Sequence, residues 1–140
     1  MKPLAAPLAI LQDVNRTAPF NEWAKFEVTD AREGHAELRM PWRSELAQYS
    51  GFLLAGVVSA LIDTVCGFAA ATVAGRVLAS HNSVSFLRPA IGQQFIAKGK
   101  VIKAGNKQIF ASAELFAENN GELSLVATGE TILVSVSETL

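Results

Sequence analysis

The pattern of apolar and polar positions divides the chain into two runs of helical character and six of strand character. The longest apolar run is GFLLAGVVSALIDTVCGFAAATVAG, Gly51 to Gly75, which is free of proline and carries one charged side chain, Asp63. On a helix beginning at Gly56, ~100° per residue sorts this run into two arcs. One arc holds Gly56, Ser59, Ala60, Asp63, Cys66, Gly67, Ala70, Ala71 and Ala74. The other holds Val57, Val58, Leu61, Ile62, Val65, Phe68, Ala69, Thr72 and Val73. Branched residues suit packing on a sheet, whereas a stripe of small residues lets another backbone or a ligand come close. An isolated carboxylate on such a stripe is costly to bury unless it bonds a neighbouring backbone group or serves as a base or nucleophile at the floor of a cleft.

Around this helix the periodicity is simpler. Leu4, Leu8, Ile10, Leu11 and Val14 recur at helical spacing and predict a short amphipathic helix over Pro3–Asn15. Asn21–Asp30 and His35–Trp42 read as strands joined by a turn at Ala31–Gly34, with His35 on a solvent side. Pro41–Ser50 is a polar connection. After the helix, strands are predicted over Ser80–Leu87, Gln94–Ala104, Gln108–Glu118 and Leu123–Val136. Short turns at Gly105–Lys107 and Asn119–Gly121 make the last three antiparallel neighbours, and all four strands are expected to form a meander. The whole is an α+β architecture in one domain, residues 1–140: a six-stranded antiparallel sheet wrapped around one long central helix, with a short N-terminal helix.

Composition narrows the function. Half of the 140 residues are hydrophobic, 18% are charged and the net charge is −1, so no basic surplus points to nucleic acid. One cysteine and two distant histidines argue against a disulfide framework or a metal site. Pro3 and Pro7 interrupt the N-terminal apolar run, so it is not expected to be a signal peptide. The long apolar run carries Asp63 and lacks flanking charge clusters, which predicts a core helix rather than a membrane span and a cytoplasmic protein.

Three segments carry a family resemblance. They are Gln48 followed by GFLLAG and VVSALIDT, then SVSFLRPA from Ser83 to Ala90, then KGKVIKAGNK from Lys98 to Lys107. In this order the chain resembles a hotdog-fold acyl-CoA thioesterase of the phenylacetic-acid-degradation type. That family places an Asn or Gln before a glycine-rich turn and an acid seven positions after the turn's last glycine, a spacing kept by Gly56 and Asp63. The resemblance implies hydrolysis of aromatic or medium-chain acyl-CoA, with coenzyme A present only as part of the substrate and no separate cofactor or metal. It assigns Asp63 as general base or nucleophile. Gln48 would orient the attacking water or the thioester. The backbone N–H of Ala55, next to Gly56, would polarise the carbonyl. It also implies a homodimer, and a dimer of dimers (a homotetramer), with active sites at the subunit interface. The chain departs from the family at Leu54, where histidine is common, and at Gly67, where a hydroxyl is common.

The remaining candidates have competing readings. Phe52, Leu53 and Leu54 make the turn apolar, fit either for an acyl group or for a subunit interface. Ser59 and Gly67 flank Asp63 on the small stripe, and His81, at the start of a strand, is a further substrate contact. Arg88, Lys103, Asn106 and Lys107 are suited to coenzyme A phosphates or simply to solvated strand ends. Cys66 reads as a packing residue. Two rivals follow: a non-catalytic hotdog module that binds acyl-CoA or an acyl carrier protein, and a hydratase, which would require a histidine beside the acid.

Overall fold

A computed structural model describes residues 3–136. Pro7 opens α1 (Pro7–Thr17), where its missing N–H costs nothing, and Pro19 ends it. Pro19 in turn opens a second short helix, α2 (Pro19–Ala24), which Lys25 closes in the left-handed conformation at φ 63°. The strand expected over Asn21–Asp30 is therefore half helix. Phe20 and Trp23 are spaced for one helix face, with ring centroids 6.0 Å apart, and the strand begins only at β1 (Glu27–Arg32). β2 (His35–Pro41) follows, then a single 3-10 turn at Ser44–Leu46 and the long helix α3 (Ala55–Ala74). The last four elements are β3 (Val77–Phe86), β4 (Gln94–Ala104), β5 (Gln108–Asn119) and β6 (Glu122–Ser135).

All six strands form one antiparallel sheet in the order β1-β2-β4-β5-β6-β3, curled around α3. This is the hotdog fold expected from the sequence, with one correction. The last four strands are not a meander, because β3 pairs with β6 at the far edge and β2 takes the place beside β4. The Pro89 connection makes this possible by running back across the sheet end. Leu87 N–H bonds Val126 O, and Gln93 N–H bonds Glu118 O.

α3 lies very low on the sheet. Its buried residues are Val57, Val58, Leu61, Ile62, Val65, Ala69 and Thr72 from the bulky arc, with Cys66 and Ala70 from the small one. Phe68 and Val73 stay only half-buried. Two glycines on the inner face set the depth. A Cβ on Gly99 would come 2.8 Å from Val65 O, and one on Gly129 would meet Ile62 Cγ2 at 2.5 Å and Ser83 O at 2.8 Å. By length and composition α3 could cross a membrane, and here half of that window is buried inside the protein.

The two sheet edges are treated differently. Asn15 Nδ2 donates to Phe26 O, just ahead of β1, and Gln12 Nε2 to Val28 O within it, so α1 side chains hold the start of that edge. β3 has no neighbouring strand on its outer side among the described residues, and Leu78 and Phe86 on it are about half exposed. An open edge of ten residues is a template for pairing with another strand.

Because the atoms crowding Gly99 and Gly129 include backbone, relief by rotamer change is not available. Gly99→Ala and Gly129→Ala should each cost about 1–3 kcal/mol of stability. The loss would appear as a lower urea midpoint with an unchanged slope.

Candidate functional site

The site begins in the loop ahead of α3. Gly51, at φ 91°, lets the chain turn back so that Gln48 N–H bonds Phe52 O and Ala47 bridges Leu53. Leu53 N–H and Leu54 N–H are held by Ala90 O and Leu46 O. The side-chain oxygen of Gln48 accepts from Ser50 N–H, which fixes the carboxamide and leaves its NH2 donors without a partner among the described residues. No side chain caps α3 and no acid sits in its first turn. The N–H groups of Ala55 and Gly56 make no hydrogen bond with a described residue, as expected of a helix start, and they carry the positive end of the helix dipole. Gln48, Phe52, Leu53, Leu54 and Ala55 line one cavity of about 420 Å³, together with Arg88 and Phe86.

Asp63 lies elsewhere. It is eight residues along α3 from Ala55, about 12 Å at the helical rise. It lines a separate cleft of about 720 Å³ with Thr64, Gly67, Phe68 and Leu133. The carboxylate is half-buried and receives no hydrogen bond or ion pair from any described residue. Burial accordingly pushes its pKa above the ordinary aspartate value. A backbone-capping role for this residue is thus not what the structure shows. Gly67 is not demanded by the packing of its own chain either. A Cβ there would only touch Leu133 Cδ2 at 3.6 Å, although a mid-helix glycine gives up about 1 kcal/mol relative to alanine. Its effect is to keep the floor beside Asp63 low.

Cys66, one turn on, is fully buried, and burial raises its pKa to about 11 despite a hydrogen bond with Thr131. A thiol so disfavoured as thiolate is a packing residue. Thr131 in turn donates to Asn82 Oδ1 at 2.8 Å. Asn82 therefore faces the helix side of β3, and His81, paired with Ile132, faces the outer side, away from Asp63. The reason is the bulge at Ser80, where the register slips between Ala79 and His81 and inverts the alternation. Counting by twos along the sequence puts His81 on the helix side. The bulge puts Asn82 there, and no residue type in the segment announces it.

The remaining candidates are dispersed. Ser59 is half-buried on α3, one turn before Asp63, and lines neither cavity. Arg88 stands at the turn cavity, while Lys103, Asn106 and Lys107 surround the β4–β5 hairpin. Ser135 N–H bonds Lys107 O there, which puts that hairpin at the opposite end of the sheet. A third depression of about 580 Å³, walled by Lys98, Lys100, Glu114 and Glu130, lies on the outer face of the sheet. Among the described residues no group of three His, Cys, Asp or Glu could hold a metal.

Comparison with known proteins follows the same lines. Residues 50–124 match the profile of the thioesterase superfamily. The crystal structure of a thioesterase family protein from Silicibacter pomeroyi is 31% identical, with a TM-score of 0.88 over 92% of this chain and 97% of that one. Zebra fish thioesterase superfamily member 2 shares the fold at 22% identity, TM-score 0.83, covering 94% of this chain and 100% of its own. A thioesterase from Haemophilus influenzae does so at 19% identity and TM-score 0.83, over 97% of this chain and 94% of that one. No curated protein matches the sequence significantly.

The unpartnered carboxylate has a consequence for stability. A carboxyl with a raised folded pKa binds its proton more tightly in the native state. Native stability therefore falls as pH rises from the unfolded value of 3.8 through the raised folded value. Asp63→Asn removes this loss and should melt at a higher temperature than the wild type at neutral pH. The gap should close as the pH falls toward the unfolded value. Thermal melts across the acid-to-neutral range check this, and a lower neutral Tm for the variant would refute it.

Proposed function

The chain belongs to the thioesterase superfamily, and from that premise we propose that it hydrolyses acyl-CoA thioesters as a cytoplasmic homodimer or dimer of dimers. The observation that carries the reading is Asp63: a half-buried carboxylate with no partner among the described residues, set at an apolar cleft, in a chain of this family. A general base needs such a raised pKa, and a carboxylate with no other occupation is free to take a proton from water or to attack the carbonyl itself.

The hydrolysis requires a second feature, donors for the charge that develops on the thioester oxygen. Ala55 N–H, with Gly56 N–H beside it, supplies them at the start of α3. The roughly 12 Å between these groups and Asp63 exceeds what one carbonyl can bridge within a single chain. A second copy resolves the separation. Two-fold pairing along the open edge of β3 would extend the sheet and bring one copy's Asp63 to the other's turn. The carbonyl oxygen then accepts from Ala55 N–H, and the Gln48 NH2 orients the water or the thioester. Water loses its proton to Asp63, the carbonyl carbon gains the oxygen, the C–S bond breaks, and the thiolate leaves with the returned proton. In the covalent variant Asp63 bonds the acyl carbon first and water releases it.

The turn cavity, with Arg88 at its rim, would receive the coenzyme A arm. Lys103, Asn106 and Lys107 would reach phosphates only from the other copy, since they lie at the far end of the sheet. The spacing of Gln48, Gly56 and Asp63 supports the phenylacetic-acid-degradation type, while Leu54 supplies no imidazole and Gly67 no hydroxyl.

Asp63→Asn should lower thiol release from acyl-CoA by about 10²–10⁴-fold, the usual worth of a positioned base, without changing the oligomer. Gln48→Leu should also be impaired. If each site draws on both copies, mixing the two variants after mild dissociation should restore roughly a quarter of wild-type activity, since half of the dimers then hold one intact site of two. Turnover retained in Asp63→Asn would refute the reading, and absent turnover with acyl-CoA still bound would favour a binding module.

A further inference from the structure

The cleft at Asp63 is longer than the chemistry needs, and its far wall is not part of the hotdog sheet. It is lined at one end by Asp63 and at the other by Gly75, which at ~1.5 Å per residue lie about 18 Å apart along α3. Between them the lining is hydrocarbon, with Phe68 and Ala71 on α3, Leu133 on β6 and Leu78 at the start of β3. The opposite wall is α1, whose Ile10 and Val14 face the same space. These two side chains are one helical turn apart and stand 39% and 47% exposed, while their neighbour Leu11 is buried. α1 thus has two apolar faces, one in the core and one on the cleft.

We infer that α1 is the ruler of the acyl site, and that the substrate is an extended, unbranched acyl chain whose tail runs along the C-terminal half of α3 to end against Ile10 and Val14. The inference rests on Asp63 being the group at the thioester. Its direction follows from the continuity of the cleft with Asp63, since an acyl chain attached to the carbonyl at the carboxylate has this cleft as its apolar continuation. An aryl group would fill only the end near Phe68 and leave the α1 end unoccupied. The wall is also fixed in place. Leu4 N–H bonds Thr72 O on α3, and Gln12 and Asn15 hold backbone carbonyls at Val28 and Phe26. A wall tied at both faces sets a definite depth, and the polar and charged groups stand at the margins, Thr64 near the carboxylate, Asn21 near α1 and Arg76 beyond Gly75, which leaves the middle apolar.

The test compares butyryl-, octanoyl-, lauroyl-, palmitoyl- and phenylacetyl-CoA on the wild type, Val14→Trp, Ile10→Trp and the double variant Ile10→Ala/Val14→Ala. The wild type should prefer octanoyl or lauroyl over phenylacetyl. The ratio of lauroyl to butyryl kcat/KM should fall about tenfold or more in each Trp variant, as expected when methylenes are denied their pocket. It should shift toward palmitoyl in the double alanine variant. Both wild-type residues are partly exposed, so folding and oligomeric state are checked by circular dichroism and light scattering. An unchanged length profile in all three variants, or a wild type that prefers phenylacetyl-CoA, would overturn the inference. If the wild type hydrolyses nothing, the hydrolase reading fails instead. Calorimetric binding of S-octyl- and S-dodecyl-CoA thioethers then decides the cleft, with tighter binding of the longer chain in the wild type and loss of that preference in Val14→Trp.

Discussion

The depth at which α3 sits in the sheet governs the rest of the molecule. A helix normally stands off a sheet by the length of its side chains, but at Gly99 and Gly129 there is no room even for a Cβ. Close seating lets the curled sheet cover about half of the helix, so most of the bulky arc and part of the small one are sealed in. It also dictates what stays out. The arc farthest from the sheet is left with Gly56, Asp63 and Gly67, residues too small or too polar to build a core. The sheet's grip on one face creates the free face on which Asp63 stands.

Under the proposed hydrolysis, that free face leaves a single chain chemically incomplete. The donors at the helix start and the carboxylate two turns in are fixed by the same rigid rod, at a separation no local motion alters. A thioesterase using both groups at one carbonyl would need a second rod, and β3 offers an edge along which it could pair. At β1 the carbonyls of Phe26 and Val28 are held by Asn15 and Gln12 of α1, whereas β3 is long, exposed and carries Leu78 and Phe86. Proteins usually blunt such edges, so one protected edge and one open edge in the same sheet argue that the open one is meant to be covered.

Much of this was legible in the chain. The arcs of α3, the strand Gln94–Ala104 and the hairpin at Asn119–Gly121 follow from periodicity and turn chemistry, and Gly56 and Asp63 stood out by spacing and isolation. What periodicity misses is non-local. The placement of β3 beside β6 depends on which strand wins the place next to β4, and nothing within Ser83–Ala90 encodes that contest. α2 was hidden because Phe20, Trp23 and Phe26 look like strand aromatics until Pro19 is read as a helix opener. The identity of the inward residue on β3 turned on the bulge at Ser80, which exchanges His81 for Asn82 without altering composition.

The exchange matters for the chemistry around the carboxylate. With His81 inward, Asp63 would have an ionisable partner that could hold it charged. With Asn82 inward, tied through its Oδ1 to Thr131, β3 brings no ionisable group toward Asp63 at that position. The carboxylate is shifted by desolvation alone, and desolvation weakens when water enters an open cleft. Filling the cleft with an acyl chain and covering it with a second copy would strip that water away. The basicity of Asp63 would then be greatest with the cleft filled, which is the state in which the proposed hydrolysis would draw on it.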